Sequence, residues 1–292
     1  GAKLLVVGVR NYPDVNAIYV ARSFGSMVLP KLKELEASVE AEARGVFVYI
    51  PGLEEKRQIT SMEGAEALDR PKVLERFARE VAAQVKGDTH VILPFVGYRR
   101  VAENVRHLEE ATGAKVVELP SVPPSLAGRR LMMALESVAK KHGVKMYKGY
   151  TATSAVVEKG ECTAVKASWL GEEITIKAKA FILATGDYIS GGLAASETDI
   201  VEPIFGLKIK VPPGMDYLSW TEKTPFPPTG HPYSFFGVEV DELLRPLADG
   251  EPVAENVFAC GSILAHYDYN TEKSGSGVCV STALAAAKNA RR

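Results

Sequence analysis

This chain of 292 residues is short of the features that announce a function most directly. Its three cysteines, Cys162, Cys260 and Cys279, are scattered and odd in number, with no C-x-x-C pair and no Cys/His ligand spacing. They therefore offer no iron–sulfur or zinc ligand set, and they suit a reducing, cytoplasmic setting. Excess charge is missing too: 35 basic against 36 acidic residues leave a net charge of −1. No global field draws such a chain to nucleic acid or to an anionic membrane. No apolar run approaches the roughly 20 residues that cross a bilayer, so direct membrane insertion is not expected, and no signal-peptide pattern is visible. The turn after the first apolar run, GVRNYPDVNA, carries neither G-x-G-x-x-G nor a P-loop, and there is no G-x-S-x-G nucleophile elbow. What remains is the composition of a globular protein, 46% hydrophobic and 24% charged, long enough for one large or two ordinary domains.

Strands and helices are expected to alternate from the start. Residues 4–9 (LLVVGV) form a continuous apolar run, as in a strand covered on both faces. Helices are predicted over 17–24 and 30–42, then a strand over 46–51. After a polar loop, Val73, Leu74, Phe77, Ala78, Val81 and Val85 fall at helical spacing within residues 71–85. A strand over 90–97, a helix over 102–112 and a strand over 115–120 follow. Short connections between such elements signal a parallel sheet, and residues 1–120 read as one α/β domain.

The texture then changes. Pro123 and Pro124 break the chain, and Ser125 is placed to cap a helix running to residue 141. Residues 145–186 alternate apolar and polar side chains around EKGE and LGEE, which predicts a meander of about three antiparallel strands. That segment ends in AFILATG, a further buried strand closing on small residues. Residues 187–252 are rich in loops and proline, and loops of this length in a compact domain usually serve a site.

Near the C-terminus a strand over 257–260 leads through Gly261 and Ser262 and a polar loop into Gly275-Ser276-Gly277 and a helix of small residues. Glycines at a helix entrance expose bare N–H groups, where the helix dipole favours negative charge. One reading is a cradle for an anionic cofactor group. The other is an ordinary glycine-rich helix start. Under both, Ala283, Ala285, Ala286 and Ala287 are packing residues.

The segments AFILATGDYISGGLAASETDIVEPIFGL and ENVFACGSILAHYDYNTEKSGSGVCVSTALAAA resemble, in order, the B subunits of anaerobic glycerol-3-phosphate dehydrogenase. These subunits belong with the fumarate-reductase/succinate-dehydrogenase-like FAD flavoproteins. AKLLVVGV, LPSVPPSLAGRRL and the EKGE meander extend the likeness over essentially the whole chain. The resemblance implies an α/β fold in two parts. A parallel-sheet cap or substrate-side domain (1–120) precedes, over 121–292, the C-terminal part of an FAD-binding Rossmann-like domain with an antiparallel β-meander. Such proteins begin with a strand and G-x-G-x-x-G. This chain starts downstream of that element, which is expected on a removed N-terminal part or on another polypeptide.

The resemblance further implies which residues meet the cofactor, FAD or alternatively FMN. Thr185 and Gly186 would lie near its phosphate and ribose, and Gly261 and Ser262 near the ribityl or pyrophosphate portion. Gly275, Ser276, Gly277 and Val278 would turn N–H groups to the flavin edge. Oxidising an alcohol through flavin calls for a base, and a phosphorylated substrate calls for a cation. His231 and His266 are the candidate bases, and Arg245 and Arg129 (with Arg130 beside it) the candidate anion ligands; each also reads as a structural or surface residue. Tyr267 and Tyr269 would stack near flavin or pack beneath the loop, and Cys260 and Cys279 read as packing residues. Electrons from a small phosphorylated substrate would pass to an iron–sulfur subunit and quinone, with a catalytic flavoprotein subunit as a further partner. That places the chain in the cytoplasm, peripheral to the membrane through partners. A flavin-less structural or assembly subunit is the alternative.

Overall fold

The computed structural model describes residues 1–120 and 124–291; Pro123, the first of the paired prolines, lies outside the described residues. Two compact units form, Gly1–Lys145 and Met146–Arg292. The expected boundary near residue 120 differs because the helix after Ser125 belongs to the first unit, where Leu126 is fully buried and Met133 packs against its core.

The first unit contains, in chain order, β1 (Ala2–Val9), α1 (Ala17–Ser23), α2 (Leu29–Leu35), β2 (Ala41–Val48), α3 (Ser61–Leu68), α4 (Pro71–Ala82), β3 (His90–Leu93), α5 (Val101–Thr112), β4 (Lys115–Glu118) and α6 (Leu126–Lys141). The four strands are parallel in the order β2-β1-β3-β4. Alternation along β1 divides the core. Leu5, Val7 and Val9 pack on the face that holds Phe77, Val81 and Leu108, while Val6 packs on the other with Ala17 and Ala21. On that second face α1 lies close to β2, because a side chain on Gly45 would meet the Ala17 backbone at 2.5 Å. Ser125 caps α6 as expected, its Oγ accepting from the Gly128 N–H at 3.2 Å.

Two expectations fail here. The helix foreseen over 30–42 stops at Leu35, and residues from Ala41 are strand. Glu36 is already extended, and β2 begins where Ala2 of β1 needs its partner Ala41. The sheet register outweighs the helix propensity of KELEASVEAE. The polar loop before residue 71 contains α3, whose start is a capping box: Thr60 Oγ1 accepts from Glu63 N–H, and the Glu63 carboxylate accepts from Thr60 N–H. The hydrogen bond from Lys56, with those from Thr60, holds the Glu63 pKa down at about 2.

The second unit opens with the expected meander, β5 (Thr151–Glu158), β6 (Glu161–Trp169) and β7 (Glu172–Lys177), all antiparallel. Its turns fall at Lys159-Gly160 and Leu170-Gly171, with positive φ at all four residues, the geometry that joins twisted strands in two residues. Next come β8 (Phe181–Leu183), β9 (Ala194–Ala195), β10 (Ile200–Glu202), β11 (Leu207–Lys208), β12 (Leu247–Ala248), β13 (Glu251–Pro252), β14 (Val257–Ala259), α7 (Tyr269–Glu272) and α8 (Gly275–Asn289). The loop-rich segment thus holds short pairs, β9–β11 and β12–β13, while β8 pairs in parallel with β14 across Phe181↔Val257 and Leu183↔Ala259. β8 is not fully buried as foreseen: Leu183 is, but Ile182 is 42% exposed. Of the four alanines of α8, Ala286 alone is buried, against Phe258 and Cys260, and Ala283 and Ala287 face outward.

The pair Arg44–Asp88 ties β2 to the segment before β3. Arg44 Nε donates to Asp88 Oδ1 at 3.1 Å, and Lys86 N–H donates to Oδ2 at 2.8 Å. Burial pushes the Asp88 carboxyl up, but Arg44 and Lys86 more than offset it and its pKa falls below 3.8. The ionised form therefore stabilises the fold above pH 3.8, and that contribution is lost as pH falls through the lowered folded value. Asp88→Asn is expected to cost about 1–3 kcal/mol at neutral pH and to flatten this acid dependence, read from urea melts at several pH values.

Candidate functional site

In the first unit, the order β2-β1-β3-β4 sets the topological switch between β1 and β3, where open α/β sheets usually bind ligands. Here that crevice is filled by the protein itself. The Tyr12 and Phe95 rings meet edge-on at 5.3 Å, and α3 comes so close that any side chain on Gly64 would overlap Phe95. Asn11 Nδ2 donates to the carbonyls of Leu53 and Lys56. Burial and the neighbouring Asp14 push Tyr12 up to about 12, so it stays a neutral packing residue.

The second unit is arranged differently. The carboxyl ends of β8 and β14 lie side by side, which brings Thr185-Gly186 next to Gly261-Ser262. A Cβ on Gly186 would sit 3.6 Å from Ser262 Oγ. Gly186 and Gly261 have φ of +78° and +82°, a region that side chains disfavour, so both turns need glycine. The SGGL segment folds back on the first turn: Gly192 N–H donates to Asp187 O at 2.9 Å, and a side chain on Gly192 would overlap the Gly186 carbonyl oxygen. Behind the second turn, Gly261 N–H donates to Thr282 Oγ1 at 3.0 Å, which ties the middle of α8 to the end of β14.

Three observations mark this corner as a place for a polar ligand. Thr185 Oγ1 is buried with no hydrogen-bond partner. α8, fifteen residues long, begins at Ser274 without any side-chain cap, so its leading N–H groups at Gly275, Ser276 and Gly277 are left to outside acceptors. Ser276 and Gly277 are exposed. Close backbone approach, an orphaned hydroxyl and uncapped donors fit a group with phosphate or carbonyl oxygens. Cys279, exposed on the first turns of α8, has its Sγ 3.7 Å from where a Gly261 side chain would be, and Cys260 beneath is buried.

Sequence reasoning passed over Tyr188 and Trp220. Tyr188 OH, Trp220 Nε1, Tyr267 OH and Asp268 Oδ2 are all buried without partners. The three aromatic side chains pack on one apolar cluster around Phe236 and Ile263. Tyr188 meets Tyr233 edge-on at 5.7 Å, and Trp220 meets Phe236 at 6.1 Å. Burial pushes both Tyr188 and Tyr267 up to about 12, so each is a neutral donor. The signal for Tyr188 lay in DYISGG, an aromatic residue beside the first glycine turn; Trp220, in the loop-rich segment, had no local signal. Glu202 of EPIFGL is fully buried and accepts from the Ile204 and Phe205 N–H groups at 2.8 Å; burial raises its pKa. It holds a turn.

The residues named for substrate chemistry are mostly engaged elsewhere. His231 Nδ1 accepts from Glu222 N–H at 3.0 Å, so Nε2 carries the proton, directed at Pro225 O at 3.2 Å, and the ring stacks on Tyr233. Neither nitrogen is free. Arg245 is clamped between Asp241, at 2.7 Å, and Glu255. His266 is 77% exposed on its side chain, with φ +71° and Glu239 at 3.7 Å. Arg129 is exposed on α6 in the first unit, while Arg130 beside it is spent on Glu118 and the Gly97 carbonyl. Tyr269 lies against Gly275, 3.1 Å from where its side chain would begin.

Comparison with known proteins supplies the family context. The FAD binding domain family model matches residues 3–278. The B subunits of anaerobic glycerol-3-phosphate dehydrogenase from Vibrio vulnificus strains CMCP6 and YJ016 are 34% and 33% identical over 294 residues, covering 99% of this chain and 64% of each relative. The protein of the same name from Pectobacterium atrosepticum is 31% identical over 288 residues, with 97% and 64% covered. The chain thus spans somewhat under two thirds of the length of these relatives. Among the described residues no helix is long and apolar enough to cross a membrane, and no cluster of metal-ligating side chains occurs.

Gly192→Ala tests the closeness of the two turns. The added methyl has to displace the Gly186 carbonyl, and a loss of about 2 kcal/mol or more in thermal or urea unfolding is expected. Gly191→Ala, with open space around the added carbon, suffers only the backbone penalty of its positive φ, about 1 kcal/mol.

Proposed function

The chain belongs to the FAD binding domain family, and from that premise we propose that it is the flavin-holding part of an oxidoreductase subunit of the anaerobic glycerol-3-phosphate dehydrogenase B type. The observation that carries this reading is the corner where β8, β14 and α8 meet. Thr185 and Gly186 would take the phosphate and ribose region, with Thr185 Oγ1 gaining the partner it lacks. Gly261 and Ser262 would face the middle of the cofactor, and the uncapped N–H groups of Gly275, Ser276 and Gly277, with Val278, its flavin edge. The family match favours FAD over FMN. When bound, flavin supplies a two-electron acceptor. What this chain supplies is orientation and a set of fixed donors where negative charge collects.

Glycerol 3-phosphate is the substrate that the relatives' name suggests, with a catalytic flavoprotein subunit and an iron–sulfur subunit as partners. A specific observation shapes the role within such a complex. His231 and Arg245 are both committed to structural bonds. Of the other two candidates, His266 is exposed with Glu239 at 3.7 Å, and Arg129 is exposed and makes no ion pair among the described residues. That favours relaying electrons over oxidising the alcohol in this chain. A flavin-free assembly role is the second reading, and it draws support from the same two commitments.

The experiment is an absorbance spectrum after loading with FAD and gel filtration. Retained flavin bands that bleach with dithionite support the proposal; a colourless chain that takes up no flavin overturns it in favour of the assembly role. Thr185→Val supplies the sharper contrast. The swap is nearly isosteric and removes a hydroxyl that bonds to nothing in the protein, so stability should hold or rise slightly, within about 1 kcal/mol. FAD retention should fall about fivefold to tenfold, measured by equilibrium dialysis.

A further inference from the structure

One loop of the second unit is held by a single side chain. Residues 221–231 lie between a short helical turn at Tyr217–Ser219 and another at Pro232–Phe235. At the base, Tyr233 N–H donates to Trp220 O at 3.0 Å. Beyond it, Pro225, Pro227 and Pro228 have no N–H to give. Among the described residues, the hydrogen bonds that join 221–226 to the rest of the protein are the two of the His231 ring. Glu222 N–H donates to Nδ1 at 3.0 Å, and Nε2–H donates to Pro225 O at 3.2 Å. Phe226, at the tip, is 95% exposed.

The other arm of the loop rests on the two segments that leave the glycine turns. Gly230 sits on Asp268 so closely that a Cβ would come within 2.2 Å of Oδ2. Asp268 is fully buried, and that oxygen has no partner. The His231 ring stacks on Tyr233 at 5.4 Å, and Tyr233 meets Tyr188, just past Gly186. The loop thus covers an unpartnered carboxylate oxygen beside the candidate site.

The fastening is conditional on charge. A ring nitrogen accepts an N–H bond only while it keeps its lone pair, so the bond from Glu222 belongs to the neutral ring. Protonation makes Nδ1 a second donor, set against an amide donor. The first arm then keeps only the bond at Pro225 O. The charged and titratable groups around the ring are Glu222 and Lys223 in the loop and Asp216 before it, with Tyr233 and Tyr188 on the stacked side. Asp268 and Glu272 face the loop from α7. Burial pushes Tyr188 up to about 12. Within this set the imidazole is the kind of side chain that changes charge between about pH 5 and 8.

We propose that His231 is a proton-operated latch: its neutral ring keeps the 221–231 loop shut over Asp268, and protonation opens it. Above the imidazole range the loop is shut, and below it the loop is open. The latch stands on the loop alone, whereas its control of access to the cofactor corner rests on the flavin reading given above.

Trp169→Phe leaves Trp220, at the base of the loop, as the one indole of the chain. Acrylamide quenching of its emission, followed from about pH 8 to about pH 5.5, is expected to rise in one step while the far-ultraviolet circular dichroism stays constant. His231→Asn keeps an acceptor near the place of Nδ1 and takes up no proton in this range, so quenching should stay low throughout. His231→Phe keeps the stacking on Tyr233 and loses both bonds, so quenching should be high throughout. A flat profile with His231 in place, or a step that persists in either variant, overturns the latch. With FAD loaded, acidification should quicken flavin release about threefold to tenfold with His231 in place and not in His231→Asn. A quenching step without that change overturns the control of the corner. A chain that holds no flavin overturns the flavin reading instead, and the quenching profiles still decide the latch.

Discussion

The parallel pairing of β8 with β14 is the constraint on which the candidate site rests. Three residues from each strand set the register, and in a parallel pair both carboxyl ends emerge on the same side. Two glycine turns separated by some 75 residues in sequence are thereby placed next to each other. The third component follows from one hydrogen bond, Gly261 N–H to Thr282 Oγ1, which fixes α8 at the turn after β14. Around this, residues 187–252 contribute short strand pairs and an aromatic cluster joined by loops. An antiparallel pairing of the same two strands would send their turns to opposite ends, and no cradle would form.

Much of this was legible in the sequence, for reasons that differ by element. β1 announces itself as an unbroken apolar run because both of its faces are covered, and α4 by a helical stripe of Leu74, Phe77, Ala78 and Val81. The meander could be read from alternation and from glycine at its turns. The glycine turns of the site were legible because close backbone approach leaves a residue-type signature. Failures came where a distant partner decided the outcome. The 30–42 segment has helix-favouring residues throughout its second half, yet Ala41 becomes strand because β1 needs a neighbour. No local pattern carries that information. α3 was missed although its capping box, Thr60 and Glu63, stood in the sequence. The commitments of His231 and Arg245 were hidden too, since their partners are backbone groups and carboxylates that composition does not pair.

The polar groups of the second unit divide by how completely they are satisfied. Glu202, Arg245 and His231 meet their partners within the protein and hold turns in place. Thr185, Tyr188, Trp220, Tyr267 and Asp268 each keep a buried atom without a partner. A fold stabilised by these groups would not leave so many unmatched in one region, since each costs about 1–3 kcal/mol. Satisfied groups build the frame, and the orphaned ones gather around the candidate site.

Cys279 gives the site a built-in reporter. Of the three thiols it alone is exposed; Cys162 and Cys260 are buried, and burial pushes both of their pKa values up, away from the reactive thiolate. An environment-sensitive maleimide would therefore couple at one position, on the helix turn that faces Gly261, without any engineered cysteine. Its fluorescence would register solvent leaving that corner, and the occupancy of the cradle becomes measurable in a protein carrying its natural side chains.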